Sequence, residues 1–379
     1  MDFPVVKGVD IRNGLAMEWI KLKVLGKGSY GVVNLVKPIN YVFADRVFAV
    51  KSCRYEDSSS VQKELEILEQ FADCRNIVQC YGDLLSIDQG MLVYNLFLEY
   101  APGGSFLDLM VKKYGGKIPE SDVKCYSKML LEGIRDIHAR GYVHCDLKPA
   151  NILVFPPDRY GSISNLKIAD FGLLRRAGER NMPEVEAWML NFPGTGVYMP
   201  PESVTDGKIS AALDIWSLGC VVLEMITGKL PWEYHNLADL AIKIGFSRYP
   251  PKIPENMSST GKDFLMKCFA RNPSERWTAD MLLSHPFLLS ECPPLSPHCL
   301  PCMEELEGFG FVTSILAVGP VYECTLFHTL KQVGGYSPVI RCNSESFASA
   351  ELKIKSIGCT KCQSIGHFSC PDCSNTPKV

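Results

Sequence analysis

The spacing of apolar residues changes along the chain from a period of two to a period near 3.6. Residues 20–24 alternate apolar and charged side chains, and the short apolar runs 32–36, 47–51 and 96–100 are typical of further strands. Later segments favour helices, over 121–140 with Ser121 as its N-cap, and over 214–226. Residues 152–155 and 166–169 predict two more short strands. The pattern therefore places strands early and helices late.

A further helix, predicted over residues 60–72, carries a carboxylate on its apolar face. Glu64 falls among the apolar positions 61, 65, 68 and 72, whereas Glu66 falls on the opposite face. A buried carboxylate is costly unless it is paired. Lys51 is the natural partner, because it shares a strand face with Ala49. A lone strand lysine is more often a solvated edge charge, and the helix favours the ion pair.

Composition bounds the class of protein. The chain has 379 residues, 46% of them hydrophobic, which is enough for two or three domains, and its formal net charge of −3 gives no general argument for binding nucleic acid. The N-terminus does not read as a signal peptide, and Asp2 excludes N-myristoylation. The apolar window 308–322 is shorter than a membrane span and contains Gly319 and Pro320. We expect a cytosolic protein, with the nucleus as a second compartment.

Three motifs in order carry candidate chemistry. In the stretch 144–151, Asp146 can accept a proton from an attacking hydroxyl, Lys148 can neutralise a moving phosphoryl group, and Asn151 can offer an oxygen to Mg²⁺. Asp170, at the end of a predicted strand, can hold the same metal. The glycines of the stretch 26–33 would let backbone N–H groups approach a triphosphate. An ordinary flexible hairpin is the alternative for these glycines taken alone.

With these motifs in this order, the chain resembles the eukaryotic protein kinase family over residues 19–288. Residues 17–19 and 200–232 look most like plant MAP kinase kinase kinases. The resemblance implies an α+β bilobal fold, with a small, mainly antiparallel β N-lobe over 19–100 and a larger helical C-lobe over 101–288. Residues 1–18 would be an N-terminal extension, and residues 289–379 a Cys-rich C-terminal tail.

The resemblance also implies an ATP site. Its glycine loop would contain Gly26, Lys27, Gly28, Ser29, Tyr30 and Gly31, and Lys51, fixed by Glu64, would reach the α- and β-phosphates. The base would lie in a slot made by Val33, Ala49 and Leu153, with Leu98 behind it and backbone groups of Glu99 and Ala101 beside it. Asp214 would brace the catalytic loop and Arg276 would pair with Glu202, both as scaffolding.

Departures from the family pattern concern regulation and specificity. Cys145 stands where the family commonly has an arginine that holds an activating phosphate, and residues 174–193 contain no Ser, Thr or Tyr. We therefore expect no activating phosphate there, which leaves Thr195 and Tyr198 as acceptors nearby. Thr195 with Lys148 is typical of serine/threonine kinases. Gly196 and Pro200 depart from the family's substrate-docking loop and bear on peptide specificity.

The tail resembles no family that we can name. Residues 292–301 read as a Pro-rich linker and residues 309–340 favour strands. Nine of the sixteen cysteines lie beyond residue 288, and the spacing of Cys359, Cys362, Cys370 and Cys373 is typical of a zinc site. Free or redox-active thiols are the alternative.

The sequence thus predicts a serine/threonine kinase that uses ATP and Mg²⁺, with Zn²⁺ as a further ligand of the tail. Its partners would be protein substrates, with MAP kinase kinases as candidates. A pseudokinase that binds without turnover is one alternative. A kinase whose zinc-binding tail carries the main interaction role is the other.

Overall fold

The computed structural model describes residues 5–10, 12, 14, 16–28, 31–39, 46–157, 163–180, 194–205, 207–247 and 249–289. Its N-terminal part is a six-stranded antiparallel sheet that closes on itself in the order β1-β2-β3-β4-β6-β5. The strands are β1 (Val5–Val9), β2 (Ala16–Gly28), β3 (Gly31–Ile39), β4 (Phe48–Arg54), β5 (Cys80–Asp88) and β6 (Met91–Glu99). The helix α1 (Ser59–Leu68) packs against β5 and β6.

The N-terminal strand β1 closes this sheet. It pairs with β2 along five residues and with β5 at Gly8 and Val9. The predicted boundary between residues 18 and 19 therefore falls inside β2, and the preceding residues 5–9 belong to the same sheet. The division of the whole chain into extension, kinase domain and tail stays a prediction.

The glycine-rich hairpin differs in detail from the prediction. The alternating pattern predicted a first strand over residues 20–24, but β2 begins at Ala16 and continues past these residues to Gly28. Register shifts between Lys21 and Lys23 and between Val24 and Gly26 let it do so, because they absorb the extra residues while pairing with β3 resumes beyond them.

The alternation over residues 20–24 does not mark the buried face of the sheet, because Ile20 and Leu22 are only partly buried and Val24 is 55% exposed. Trp19, Val36, Val50 and Phe97 are buried together, and the Trp19 and Phe97 rings meet edge to face at 5.3 Å between centroids. Since the alternate side chains face outward, the inner face of this sheet is filled by its own apolar residues.

The C-terminal part is helical. It contains α2 (Phe106–Tyr114), α3 (Glu120–Ala139), α4 (Pro201–Thr205), α5 (Ala212–Thr227), α6 (Leu237–Phe246), α7 (Ser259–Cys268), α8 (Ala279–Leu283) and α9 (Pro286–Leu289). Two small antiparallel pairs complete it: β7 (Tyr142–Val143) with β10 (Arg175–Arg176), and β8 (Ile152–Phe155) with β9 (Asn165–Ile168). A β-rich first part and a helical second part agree with the predicted α+β bilobal arrangement, and the tail lies outside the described residues.

Two helix ends correct the predictions. The helix α3 begins at Glu120, after Pro119, so Ser121 lies in its first turn and bonds Asp122 instead of capping the helix. The helix α1 ends at Leu68, and a tighter turn over Glu69–Phe71 replaces the predicted last turn up to residue 72. The predicted apolar faces hold, since Val61, Leu65 and Leu68 of α1 are buried.

The helix α5 is the centre of the C-terminal part. All of its residues from Leu213 to Met225 are buried, which agrees with the apolar run seen in the sequence. Within the described part of the chain, none of the helices combines the length and the apolar character needed to cross a bilayer.

Candidate active site

The loop that follows β7 is held from below by α5. The backbone N–H groups of His144 and Cys145 donate to the two carboxylate oxygens of Asp214, at 2.8 and 3.0 Å, and the His138 ring bonds the same carboxylate at 2.8 Å. Burial acts to raise the pKa of Asp214. The hydrogen bond and electrostatic attraction from His138, together with those from His144, outweigh burial, so the pKa of Asp214 is lowered. The charged Asp214 thus fixes the loop, as predicted.

Cys145 sits in this loop in a strained conformation, with φ of +69°. Its side chain is buried in an apolar cluster with Val143, Met199, Ile209 and Leu213. Burial raises the pKa of the thiol, which donates to the carbonyl of Val143. The residue is therefore a neutral packing group, and it offers no charge with which to hold a phosphate.

Three polar side chains meet at Asp146. Its Oδ2 accepts from Lys148 Nζ at 2.7 Å and from Asn151 Nδ2 at 2.9 Å, and its Oδ1 accepts from the Thr195 hydroxyl at 2.8 Å. Lys148 also donates to the Thr195 oxygen at 2.7 Å. Both oxygens of Asp146 are thus oriented by neighbours. Lys148 lies where it can offset negative charge beside them.

A second cluster lies between α1, β4 and the turn after β9. Lys51 Nζ lies 2.7 Å from Glu64 Oε2 and 3.3 Å from Asp170 Oδ1, and Glu64 Oε1 accepts the N–H of Phe171 at 3.2 Å. The ion pair predicted between Lys51 and Glu64 is present. Glu64, and not Glu66, is the buried partner, because Glu66 is exposed.

Burial and charge act in opposite directions on this pair. Burial lowers the pKa of Lys51, but the carboxylates of Glu64 and Asp170 outweigh it and raise that pKa. Burial raises the pKa of Glu64, and the nearby charge of Lys51 only partly offsets the rise. Lys51 therefore stays cationic, whereas Glu64 depends on Lys51 for its charge.

The two clusters are joined through Asn151 and Ala169. The N–H of Ala169 donates to the carbonyl of Asn151 at 2.9 Å, and the carbonyl of Ala169 contacts the His144 ring at 3.1 Å. Asp170 comes next, with φ of +63°, and its side chain is 43% exposed. The strained backbone thus presents a solvent-accessible carboxylate beside the Asp146 cluster.

The glycine-rich hairpin shows which glycines the fold itself requires. A β-carbon at Gly31, where φ is +127°, would lie 2.3 Å from the carbonyl oxygen of Ser52, so this glycine is needed for close strand packing. A β-carbon at Gly26 or Gly28 would meet nothing within 4 Å. Open space therefore lies above these two glycines.

The remaining predicted ATP-site residues lie on neighbouring strands. Val33 is paired with Lys51 across β3 and β4, and Ala49 with Leu98 across β4 and β6. Leu153 lies on β8, Glu99 is the last residue of β6, and Ala101 follows that strand. Ser29, Tyr30 and the four tail cysteines predicted for zinc lie outside the described residues.

One charged contact at this site was not predicted. Lys167 Nζ lies 2.8 and 2.7 Å from the two side-chain oxygens of Glu99, and so it links β9 to the end of β6, where the chain leaves the sheet. A lone lysine between Leu166 and Ile168 was the signal that could have indicated it, since a charge inside a short apolar strand needs a partner.

The sequence of this chain is similar to those of known proteins. Residues 19–288 match the model of the protein kinase domain. Mitogen-activated protein kinase kinase kinase 20 of Arabidopsis thaliana is 40% identical over 276 residues, which are 72% of this chain and 78% of that protein. Mitogen-activated protein kinase kinase kinase 17 of the same plant is 34% identical over 289 residues, or 75% and 73% of the two chains. Mitogen-activated protein kinase kinase kinase A of Dictyostelium discoideum is 35% identical over 299 residues, 74% of this chain and 29% of that one.

Proposed function

Because the chain belongs to the protein kinase family, as a serine/threonine kinase of the mitogen-activated protein kinase kinase kinase group, we propose that it phosphorylates MAP kinase kinases. In the reaction, the γ-phosphoryl group of ATP passes to a serine or threonine hydroxyl of the substrate. The observation that carries this proposal is the arrangement around Asp146, whose two oxygens are oriented by Lys148, Asn151 and Thr195.

The residues of the chain have separate roles in this proposal. Asp146 accepts the proton of the substrate hydroxyl and orients that oxygen. Lys148, 2.7 Å from Asp146, stabilises negative charge on the transferred group. Lys51, held by Glu64, orients the phosphates that precede it. Positioning and electrostatics thus account for most of the rate gain.

The residues present fit ATP and Mg²⁺. The open space at Gly26 and Gly28 leaves room for phosphates beside the backbone. The exposed carboxylate of Asp170 and the amide oxygen of Asn151, whose Nδ2 is engaged by Asp146, are oxygen donors of the kind that Mg²⁺ takes. Bound Mg²⁺ would supply charge neutralisation at the phosphates. The described residues contain no cluster of three or more His, Cys, Asp or Glu side chains arranged for a metal.

The relatives support the substrate class, since they are named as kinases of MAP kinase kinases. In this chain, Thr195 ties the loop after the activation segment to Lys148 and Asp146. Gly196 in the same loop packs on α6, where a β-carbon would lie 3.3 Å from Leu240. We propose that this loop receives the substrate segment around the acceptor hydroxyl.

A direct assay tests the function. The full chain is incubated with labelled ATP, Mg²⁺ and each member of a panel of kinase-inactive MAP kinase kinases, and the labelled residue is mapped. We expect label on serine or threonine of at least one member. The Asp146→Asn variant should lose at least about 10³-fold in kcat, by loss of the proton acceptor. Equal turnover by wild type and Asp146→Asn would contradict the chemistry, and label on none of the panel would contradict the substrate class.

The pseudokinase alternative is not favoured, since Lys51, Asp146 and Asp170 are all present and lie in the two clusters. The alternative in which the tail carries the main interaction role concerns residues outside the described part of the chain. Assaying the full chain beside a chain ending at residue 288 would separate that role from catalysis. An equal rate with weaker substrate capture by the shorter chain would favour the tail.

We also propose that activity needs no phosphate on the activation segment. Residues 174–193 contain no acceptor hydroxyl, and the Thr195 hydroxyl is already engaged by Asp146 and Lys148. A phosphate on Thr195 would place negative charge against Asp146. We expect Thr195→Ser to keep most of the activity and Thr195→Glu to lose at least about 10²-fold. Activation by a phosphate that mass spectrometry maps to Thr195 would overturn the idea.

A further inference from the structure

Arg12, in the turn after β1, bridges two parts of the N-terminal lobe. Its Nη1 lies 2.8 Å from Glu69 Oε1, in the turn that follows α1, and its Nη2 lies 2.9 Å from Asp83 Oδ1 on β5. The two contacts use different nitrogens of one planar group, so the guanidinium acts as a fork between helix and sheet.

The sheet side of this bridge is anchored by buried charge. The side chains of Asp10 and Asp83 are only 3% and 4% exposed, and both lie near Arg12. The backbone N–H of Arg12 also donates to Asp10 Oδ1 at 2.7 Å. Two buried carboxylates close together need a cation. Arg12 is therefore held firmly to the sheet, whereas its other partner, Glu69, is half exposed.

The helix side of the bridge lies close to the catalytic ion pair. Glu69 follows Glu64 by five residues, about 7.5 Å along the axis of α1. Two other contacts near this end of the helix reach the C-terminal lobe: Asp73 with Arg140 at 2.9 Å, and Phe71 with the Phe171 ring at 5.7 Å between centroids. Arg12 connects the same end of the helix to the edge of the sheet formed by β1 and β5.

We propose that Arg12 is a positioning residue that ties β1 and its turn to the end of α1, and so holds Glu64 where it meets Lys51. The proposal rests on the kinase function proposed above. In this proposal, the N-terminal strand β1 holds α1 in its active position. The activation segment, residues 174–193, contains no phosphate acceptor that could do so. The strand is then a built-in activating element.

Glu69→Gln is the primary test, because it removes the helix end of the bridge and leaves Arg12 with Asp10 and Asp83. Glu66→Gln is the matched control. It makes the same charge change at an exposed position of α1, where the described residues show no ion pair to Glu66. We expect Glu69→Gln to lower kcat by about two- to fivefold, the range for a half-exposed ion pair, with an unchanged melting temperature. Glu66→Gln should match the wild type.

A cycle with Glu64→Gln separates positioning from general destabilisation. In the Glu64→Gln background the Lys51 partner is already weakened, so Glu69→Gln should have no further effect on kcat. Arg12→Lys keeps a cation for Asp10 and Asp83 but loses the fork, and it should resemble Glu69→Gln. An additive loss in the Glu64→Gln background, or Glu69→Gln activity equal to that of Glu66→Gln, would overturn the proposal. A wild-type chain inactive on every substrate would instead contradict the proposed function.

Discussion

Two buried ion pairs of this kinase differ in the geometry of their hydrogen bonds and in the exposure of their partners. Arg276 and Glu202 meet through two bonds, of 2.6 and 3.1 Å, and their side chains are 0% and 6% exposed. Arg276 also donates to the carbonyls of Ala212 and Ala270. Lys51 meets Glu64 through one bond of 2.7 Å, and its amine also lies 3.3 Å from the exposed Asp170.

The difference separates a scaffold from a working group. The Arg276 guanidinium has its donors directed at fixed protein acceptors, so the pair holds α4 against the start of α5. The Lys51 ammonium has three donors, and its partners include the buried Glu64 and the 43% exposed Asp170, so this cation faces the accessible side of the cluster as well as the buried one. We therefore expect loss of the first pair to reduce stability, and loss of the second to reduce activity.

Arg276→Met should give the largest change in stability. It leaves Glu202 buried without its cation, which typically costs about 3–5 kcal/mol of unfolding free energy. Denaturant unfolding of the purified chain measures it. The folded fraction should keep its specific activity, because no group of the catalytic clusters has moved. A large loss of kcat in protein that is as stable as wild type would break the comparison.

Lys51→Met should give the largest change in turnover among variants of the two pairs. We expect kcat to fall by about 10²–10³-fold, or about 2.7–4 kcal/mol in the barrier, because the phosphates lose their oriented cation. Steady-state kinetics on the labelled substrate measures it, with Lys7→Met, which removes an exposed cation of β1, as the control. Similar rates for the two variants would show that Lys51 has no such role.

The stability of Lys51→Met should depend on pH. Burial raises the pKa of Glu64, and loss of Lys51 removes the charge that opposes the rise. A carboxyl whose folded pKa lies above its unfolded value of about 4.3 loses stability as the pH rises through the folded pKa. We expect the deficit relative to wild type to be larger at pH 8 than at pH 5.5.

A second substitution checks the source of that pH dependence. Adding Glu64→Gln to Lys51→Met removes the titrating group, so the extra deficit at pH 8 should disappear. If it persists, another carboxyl is responsible, and the assignment to Glu64 is wrong.

The sequence was a good guide where pattern and charge coincide. A carboxylate on the apolar face of α1 was enough to predict the pair of Glu64 with Lys51, and the apolar run of α5 predicted a buried helix. Helix ends were less predictable, because Ser121 and the residues after Leu68 follow local turn geometry that several sequences satisfy.

Contacts between distant segments were the least predictable. Nothing near Arg12 in the sequence indicates that Glu69 and Asp83, 57 and 71 residues away, converge on it. The bridge of Lys167 to Glu99 spans 68 residues in the same way. The sequence alone does not indicate which of several distant charges will meet, so the pairing between them depends on the folded topology.

Arg276→Lys gives the smallest and most specific change. A lysine keeps the positive charge facing Glu202 but has one nitrogen in place of three, so it cannot reach both Glu202 oxygens and the carbonyls of Ala212 and Ala270, and at least one acceptor loses its donor. We expect a loss of about 1 kcal/mol in unfolding free energy with unchanged kcat. Arg135→Lys, an exchange at a half-exposed position, is the control and should lie within about 0.5 kcal/mol of wild type. If the two exchanges cost the same, the fork is not what distinguishes the scaffold pair, and charge alone explains it.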